Sequence, residues 1–307
     1  MARRTIRLAT RGSPLALRQA ETVGALLSAA VPGVVVEPVI VRTTGDREAT
    51  ASLDRIGGQG AFTGEVQAAV LDGRADAAVH SAKDLPALTP GGLCLRAVPE
   101  RGDTRDALVG RTLAEIPPGG VVATGSARRR AQLASLRPDL TFADLRGNMA
   151  TRARHAADGS ADAGVVAVAA FDRLGWRDRI AEILPVPTCC PQVGQGALAV
   201  ECRADDEATL AALGAVDHVA SHMAVEAERA FLAGVGGDCS VPVAATATVG
   251  PTGRIHLDAM VATGDGRVVV RATLDGDRAG ELGRRMARHL MEEAGGAAVV
   301  DWDRCGP

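Results

Sequence analysis

The chain has 307 residues, 47% of them apolar and 23% charged, which is typical of a globular protein with two or three domains. A net charge of −3 and an aromatic fraction of 2%, with no tyrosine, argue against general nucleic-acid binding. No apolar run is long enough to span a membrane, and no secretory leader is recognisable near the basic N-terminus. We therefore expect a cytoplasmic protein without membrane or nucleic-acid partners.

The six cysteines show neither a CxxC spacing nor the pattern of a disulfide framework. In a chain of this length, such scattered cysteines are typical of free thiols. The sequence therefore predicts no metal site.

Two parts of the chain repeat the same succession of predicted elements. A β-type run leads into a polar turn and a helix over 6–13, and again over 121–126. Each copy is followed by an Ala-rich helical stretch and an Asp-Gly-x-Ala-Asp-Ala segment, at 72–79 and at 158–165. Two α/β lobes of related design are therefore predicted.

The turns after the first strand of each lobe have the features of anion sites. Ser13 and Ser126 stand where helix N-cap residues belong, and Pro14 suits a first helical turn. Arg11 and Arg128 lie beside them and add bidentate donors to the free backbone N–H groups. These turns are predicted to hold carboxylates or phosphates, although the chain lacks a P-loop motif.

Lys83 is the only lysine among 34 lysines and arginines, and it follows a β-type run directly. A lysine offers a compact charge where the planar fork of arginine does not fit. The alternative interpretation is a chance survivor of arginine-biased codon usage. The neighbouring Asp84 favours a polar site at this position.

The last ninety residues form a different pattern. A helical stretch over 218–233 leads into a glycine-rich loop that contains Cys239. Three β-type runs with hairpin signals and a final helix follow, at 243–249, 255–262, 268–274 and 278–293. The pattern predicts a small α+β domain with a three-stranded antiparallel sheet. Cys239 is either a small buried residue or a reactive thiol.

Eight segments taken in order resemble one known family. They are 7–17, 57–62, 79–86, 126–129, 145–148 with Arg152, 193–197, 228–231 and the Cys239 loop. On these segments the chain closely resembles the porphobilinogen deaminases, also called hydroxymethylbilane synthases.

The resemblance implies an α/β fold with two similar doubly wound lobes of the periplasmic-binding-protein type II kind, followed by the small C-terminal domain. It implies three domains: residues 1–98 with 195–215, residues 103–191, and residues 218–307. The crossings between the two lobes, near 98–105 and near Pro191, are expected to act as hinges.

The resemblance also implies an activity. Members of the family are monomeric transferases of porphyrin (heme) biosynthesis. They join four molecules of porphobilinogen head to tail, release ammonia and yield the linear tetrapyrrole hydroxymethylbilane. Their dipyrromethane cofactor is held as a thioether, here on Cys239.

The resemblance assigns three sets of site residues. Asp84 is expected to be the catalytic carboxylate. The expected cofactor-binding residues are Ser13, Lys83, Ser126, Arg128, Arg129, Arg146 and Cys239. The expected substrate-binding residues are Arg11, Phe62, Arg152, Arg173 and Gln195.

Two other classes of protein could share parts of this pattern. A non-catalytic two-lobed anion-binding protein would keep the arginines and lose Asp84 or Cys239, yet both are present. A cysteine hydrolase would need a histidine near Cys239. The sequence does not bring His80, His218 or His222 close to that thiol.

Overall fold

The computed structural model describes residues 4–44, 62–145, 147, 149–151, 159–236 and 242–299. The strands are β1 (Arg4–Arg11), β2 (Val34–Val41), β3 (Ala77–Ser81), β4 (Leu93–Ala97), β5 (Asp106–Gly110), β6 (Val121–Ala123), β7 (Thr141–Ala143), β8 (Ala163–Ala167), β9 (Glu182–Ile183), β10 (Leu198–Arg203), β11 (Val243–Val249), β12 (Ile255–Ala262) and β13 (Val269–Gly276). The α-helices are α1 (Pro14–Ala30), α2 (Gly64–Leu71), α3 (Ala127–Leu136), α4 (Val168–Leu174), α5 (Glu207–Gly214), α6 (Val219–Gly234) and α7 (Ala279–Arg288). Within these ranges, no helix has both the length and the hydrophobicity that crossing a membrane requires.

The first sheet has five strands in the order β2-β1-β3-β10-β4. Strand β1 runs parallel to β2 and β3, whereas β10 runs antiparallel to β3 and β4. Helix α1 covers this sheet because its apolar residues recur at helical spacing, and Val23 and Leu27 are fully buried against Ile6 and Leu8. Strand β10 thus enters the first sheet after the whole second sheet has been completed.

The second sheet repeats this arrangement, in the order β7-β6-β8-β5-β9. Strand β6 lies between two parallel neighbours, as β1 does, and the antiparallel β5 takes the place that β10 has in the first sheet. The expectation of two similar α/β lobes is confirmed. Three parallel strands next to one antiparallel strand that enters from the crossing are characteristic of the type II binding-protein fold.

The third sheet is the antiparallel meander β11-β12-β13, and helices α6 and α7 pack on it. Its core is formed by side chains that are fully or almost fully buried, among them Phe231, Leu257, Leu282 and Met286. The three predicted strands and the helix before them are confirmed within two residues at each end. The last helix differs from the prediction, because α7 continues as a π-helical turn over His289–Glu293.

Candidate active site

Asp84 and Arg11 lie at the same edge of the first sheet. Strands β1 and β3 are parallel neighbours, so their carboxyl ends meet there. Arg11 is the last residue of β1, and Asp84 closes the short 3₁₀ turn Ala82–Asp84 that follows β3. The carboxylate of Asp84 is exposed to solvent.

A small cavity of about 50 Å³ opens at this edge. Its lining residues come from β1, α1, the segment before α2, β3 and the turn after β3, and they include Arg11, Ser13, Phe62, His80, Ser81 and Asp84. The guanidinium of Arg11 lies over the ring of Phe62, 4.3 Å from its centroid. This cation–π contact orients the arginine without neutralising its charge.

Ser13 and Ser126 cap the first helix of each lobe, as the sequence predicts. The hydroxyl of Ser13 accepts a hydrogen bond from the amide of Ala16 (3.2 Å), and that of Ser126 accepts from the amide of Arg129 (3.4 Å). Both cap residues have extended backbone, which is the conformation an N-cap requires. The partly positive N-terminus of α1 therefore opens at the cavity, which Ser13 lines.

Lys83 and Gln195 are brought together from distant parts of the chain. The ammonium Nζ of Lys83 lies 3.4 Å from Oε1 of Gln195, and the backbone carbonyl of Lys83 accepts a hydrogen bond from Gln192 (3.2 Å). Gly194 adopts φ +72° in this crossing segment, and a Cβ there would lie 2.8 Å from the backbone of Ala82. The glycine therefore allows the crossing segment to pass close to the Lys83 turn.

Arg128 and Arg129 are buried on α3, where both face Asp106. Nη2 of Arg128 lies 2.8 Å from one carboxylate oxygen of Asp106, and Nη2 of Arg129 lies 2.6 Å from the other. Burial by itself raises the pKa of Asp106, but the two guanidinium groups and Gln195 lower it well below the ordinary range. Asp106 is therefore an anion at neutral pH, although none of its surface is exposed.

Arg173 lies on α4, at the crossing between the lobes. Its Nη2 donates a hydrogen bond to the carbonyl of Gly196 (2.6 Å). Burial lowers the pKa of Arg173 to about 10, against a smaller opposing effect of Asp172. The guanidinium therefore keeps its charge at neutral pH.

The structure brings together most of the predicted site residues that it describes. Arg11, Ser13, Phe62 and Asp84 share one cavity, and Lys83, Gln195, Arg128 and Arg129 are linked through Asp106. Three predicted site residues lie outside the described residues: Arg146, Arg152 and Cys239.

Sequence reasoning did not find Asp106 or the buried pair of His80 and Glu201. Nε2 of His80 lies 3.3 Å from a carboxylate oxygen of Glu201, and both side chains are almost fully buried. Each acid stands within or at the start of an otherwise apolar strand, and that pattern is the one local signal that could have indicated them.

Two models of one protein family together match most of the chain. The family model described as "Porphobilinogen deaminase, dipyromethane cofactor binding domain" matches residues 6–211, and the model described as "Porphobilinogen deaminase, C-terminal domain" matches residues 222–292. The chain belongs to the porphobilinogen deaminase family.

Relatives named porphobilinogen deaminase match almost the full length of the chain. The protein of Syntrophomonas wolfei is 42% identical over 97% of this chain and 98% of its own, and that of Roseiflexus sp. is 44% identical over 97% and 99%. That of Pelotomaculum thermopropionicum is 44% identical over 96% of each chain. Among solved structures, the methionine binding protein MetQ is 13% identical over 68% of this chain and 88% of its own, with a TM-score of 0.44.

Membership of the porphobilinogen deaminase family defines the class of reaction. The chain is a transferase of porphyrin biosynthesis, and its larger matched region is the family's domain for binding the dipyrromethane cofactor. The polar groups present fit such a ligand, because every pyrrole unit carries carboxylates. The predicted site residues that the structure describes include Lys83, four arginines and the caps of two helix N-termini.

Proposed function

We propose that the chain assembles hydroxymethylbilane from four porphobilinogen molecules at the cavity that Arg11, Ser13 and Asp84 share. The observation that carries this proposal is the position of a solvent-facing carboxylate among cationic and N–H donors. The reaction develops positive charge on pyrrole rings, whereas the rings' side chains are anionic. A site for it needs one carboxylate for the developing charge and several donors for the side chains.

Asp84 is proposed as the catalytic carboxylate. At the pyrrole nitrogen it stabilises cationic charge as ammonia leaves the aminomethyl group, and it accepts and returns a proton while the remaining methylene carbon forms the new carbon–carbon bond. Its place on a short turn directly after β3 supports this role, because the strand holds the turn rigidly at the sheet edge.

The cofactor is proposed to be attached to Cys239 and held by Lys83, Ser13, Ser126, Arg128, Arg129 and Arg146. When bound, it supplies the pyrrole carbon to which the first substrate unit is added. The burial of Arg128 and Arg129 supports a binding role, because a desolvated guanidinium interacts strongly with a carboxylate.

The incoming substrate is proposed to contact Arg11, Phe62, Arg152, Arg173 and Gln195. Phe62 supports the orientation of Arg11, and Arg173 stays charged beside the crossing segment. With these contacts, the carboxylates of the growing pyrrole chain face donors from both lobes.

We also propose a monomeric state, a cytoplasmic location and three domains. The domains are residues 1–98 with 195–215, residues 103–191 and residues 218–307. The position of β10 in the first sheet supports the division. Light scattering on the purified protein and fractionation of the producing cells test the other two statements.

Intact-mass spectrometry tests the proposed function. The purified chain should carry an added mass equal to two pyrrole units, and Cys239→Ser should lack it.

Asp84→Asn should load the cofactor but consume porphobilinogen at least about 100-fold more slowly, as expected when a general acid–base group is removed. Asp72→Asn, an exposed aspartate outside the cavity, is the matched control. A wild-type chain that neither carries the added mass nor gains it with porphobilinogen would favour the non-catalytic anion-binding protein instead.

A further inference from the structure

Asp106 stands at the centre of a buried polar cluster. Its oxygen Oδ1 accepts hydrogen bonds from Nε of Arg129 (3.0 Å), Nη2 of Arg129 (2.6 Å) and Nε2 of Gln195 (2.8 Å). Oδ2 faces Nη2 of Arg128 (2.8 Å) and the thiol of Cys189 (3.4 Å). One carboxylate therefore contacts both guanidinium groups that α3 contributes to the proposed cofactor site.

The cluster has an excess of positive charge. Two guanidinium groups face one carboxylate, and all three side chains are nine-tenths or more buried. Nε of Arg128 is buried and has no acceptor among the described residues. Burying unbalanced charge is costly, so the cluster is suited to a second anion next to Asp106.

The same carboxylate links the two lobes. Gln195 belongs to the segment that returns to the first sheet, and its amide group contacts Asp106 through Nε2 and Lys83 through Oε1. Nε of Arg101 donates to the backbone carbonyl of Gln195 (2.8 Å), which fixes that segment further. The line of contacts thus runs from the arginines of α3 to the turn that carries Asp84.

We propose that Asp106 is a positioning residue for cofactor and substrate carboxylates. It orients Arg128 and Arg129, whose Nη1 groups donate to the backbone carbonyls of Cys190 and Val165, so that Nε of Arg128 remains for a ligand carboxylate. Through Gln195 it also sets the place of Lys83. This inference rests on the binding roles proposed above for Lys83 and the two arginines. Asp106 itself does not touch the reacting atoms, because it is enclosed by its own partners.

Asp106→Asn tests the inference, because it keeps the shape of the side chain and removes the charge. We expect a smaller fraction of cofactor-loaded chain by intact mass, and a KM for porphobilinogen raised about tenfold or more in the loaded fraction, as expected when charge-assisted hydrogen bonds are weakened. Asp106→Glu keeps the charge and should restore loading, with an intermediate KM. A purely structural role would reduce the folded fraction by circular dichroism and leave the KM of the loaded fraction unchanged, which would overturn the inference.

Asp103→Asn is the matched control. Asp103 lies in the same segment and forms a carboxylate–guanidinium pair with Arg105, but it contacts neither arginine of α3. It should load cofactor and bind substrate as the wild type does. If Asp106→Asn does not fold, Asp106→Glu decides alone: a KM equal to that of the wild type overturns the inference. If the wild-type chain fails to load and turn over, the proposed function fails instead, so the two failures are distinguishable.

Discussion

Lys83 differs in chemistry from the arginines around it. Its ammonium faces the neutral amide oxygen of Gln195 within a narrow space between the β3 turn and the crossing segment, where Gly194 already approaches the backbone of Ala82. A guanidinium is planar and broader and needs several acceptors in its plane. The neighbourhood of Lys83 therefore supports a need for lysine here.

We predict that Lys83→Arg lowers cofactor loading although the charge is kept. The broader guanidinium should displace the crossing segment and Gln195 with it. Intact-mass spectrometry of the purified variant measures the loaded fraction. Arg74→Lys, the reverse exchange at an exposed ion pair with Asp72, should load fully. Complete loading of Lys83→Arg would instead support the codon-usage interpretation.

Glu201 is a second buried charge that the proposed chemistry does not use. Burial by itself raises its pKa, but His80, Gln67 and Arg229 together lower the pKa below the ordinary glutamate value. Gln67 donates a hydrogen bond to the carboxylate (2.8 Å), and His80 lies 3.3 Å away. The ionised form therefore stabilises the folded state.

We predict that Glu201→Gln lowers the free energy of unfolding by about 1–3 kcal/mol at pH 7, because it removes a buried charge that hydrogen bonds from its neighbours stabilise. Since the folded-state pKa lies below the unfolded value of about 4.3, the stabilisation is complete above that pH and is lost as the pH falls through the folded-state pKa. Urea titrations at several pH values should show the wild type and the variant converging in acid. Glu182→Gln, at a partly buried carboxylate on β9, is the control. A difference that stays constant from pH 7 to acid would contradict the assignment.

At the scale of elements, α3 contributes both to the stability of the fold, through its N-cap, and to the proposed cofactor site, through its two arginines. It presents Arg128 and Arg129 in its first turn, and Ser126 satisfies a free amide at that end. The cap thereby fixes the first helical turn and the direction of both arginine stems.

We predict that Ser126→Ala lowers the free energy of unfolding by about 1 kcal/mol, whereas Ser126→Asn, which also caps, keeps it within a few tenths of a kcal/mol. Urea denaturation followed by circular dichroism measures both. Comparing the two variants also distinguishes the capping role of Ser126 from a direct contact between its hydroxyl and the ligand. If Ser126→Asn is stable but loads cofactor poorly, the hydroxyl contributes to binding as well. Equal losses in the two variants would show that the cap is not the source.

The elements that could be predicted from the sequence are those whose contacts join residues close together in the chain. The caps at Ser13 and Ser126 join atoms three residues apart, and the hairpins of β11, β12 and β13 follow local turn signals, so pattern reasoning found them. The placement of β10 came only from the family resemblance, because its partners β3 and β4 are about 100 residues away and periodicity carries no pairing information. The contact of Gln195 with Asp106 spans 89 residues and was missed for the same reason.

At the scale of the whole molecule, one side chain, Glu228, contacts both crossings between the lobes and a strand of the third sheet. Glu228 on α6 forms a bidentate pair with Arg101 (2.6 and 3.0 Å), and it accepts hydrogen bonds from the amides of Gly194 (2.7 Å) and Ala247 (2.7 Å). Arg101 and Gly194 belong to the two crossings between the lobes, and Ala247 lies on β11. The two predicted hinges and the third sheet therefore meet at the fully buried side chain of Glu228.

We predict that Glu228→Gln lowers the free energy of unfolding by about 3–5 kcal/mol, because Arg101 is left buried without its counter-ion. Moreover, the third sheet should lose its cooperativity with the lobes, since no other carboxylate among the described residues contacts both crossings and β11. Hydrogen exchange followed by mass spectrometry should show faster exchange in β11 than in β1, whereas the wild type should protect both to the level of global unfolding. Glu226→Gln, an exposed residue on the same helix, should match the wild type. Unchanged exchange in β11 would mean that the apolar packing of α6 and α7 on the third sheet couples it to the lobes without help from the Glu228 carboxylate.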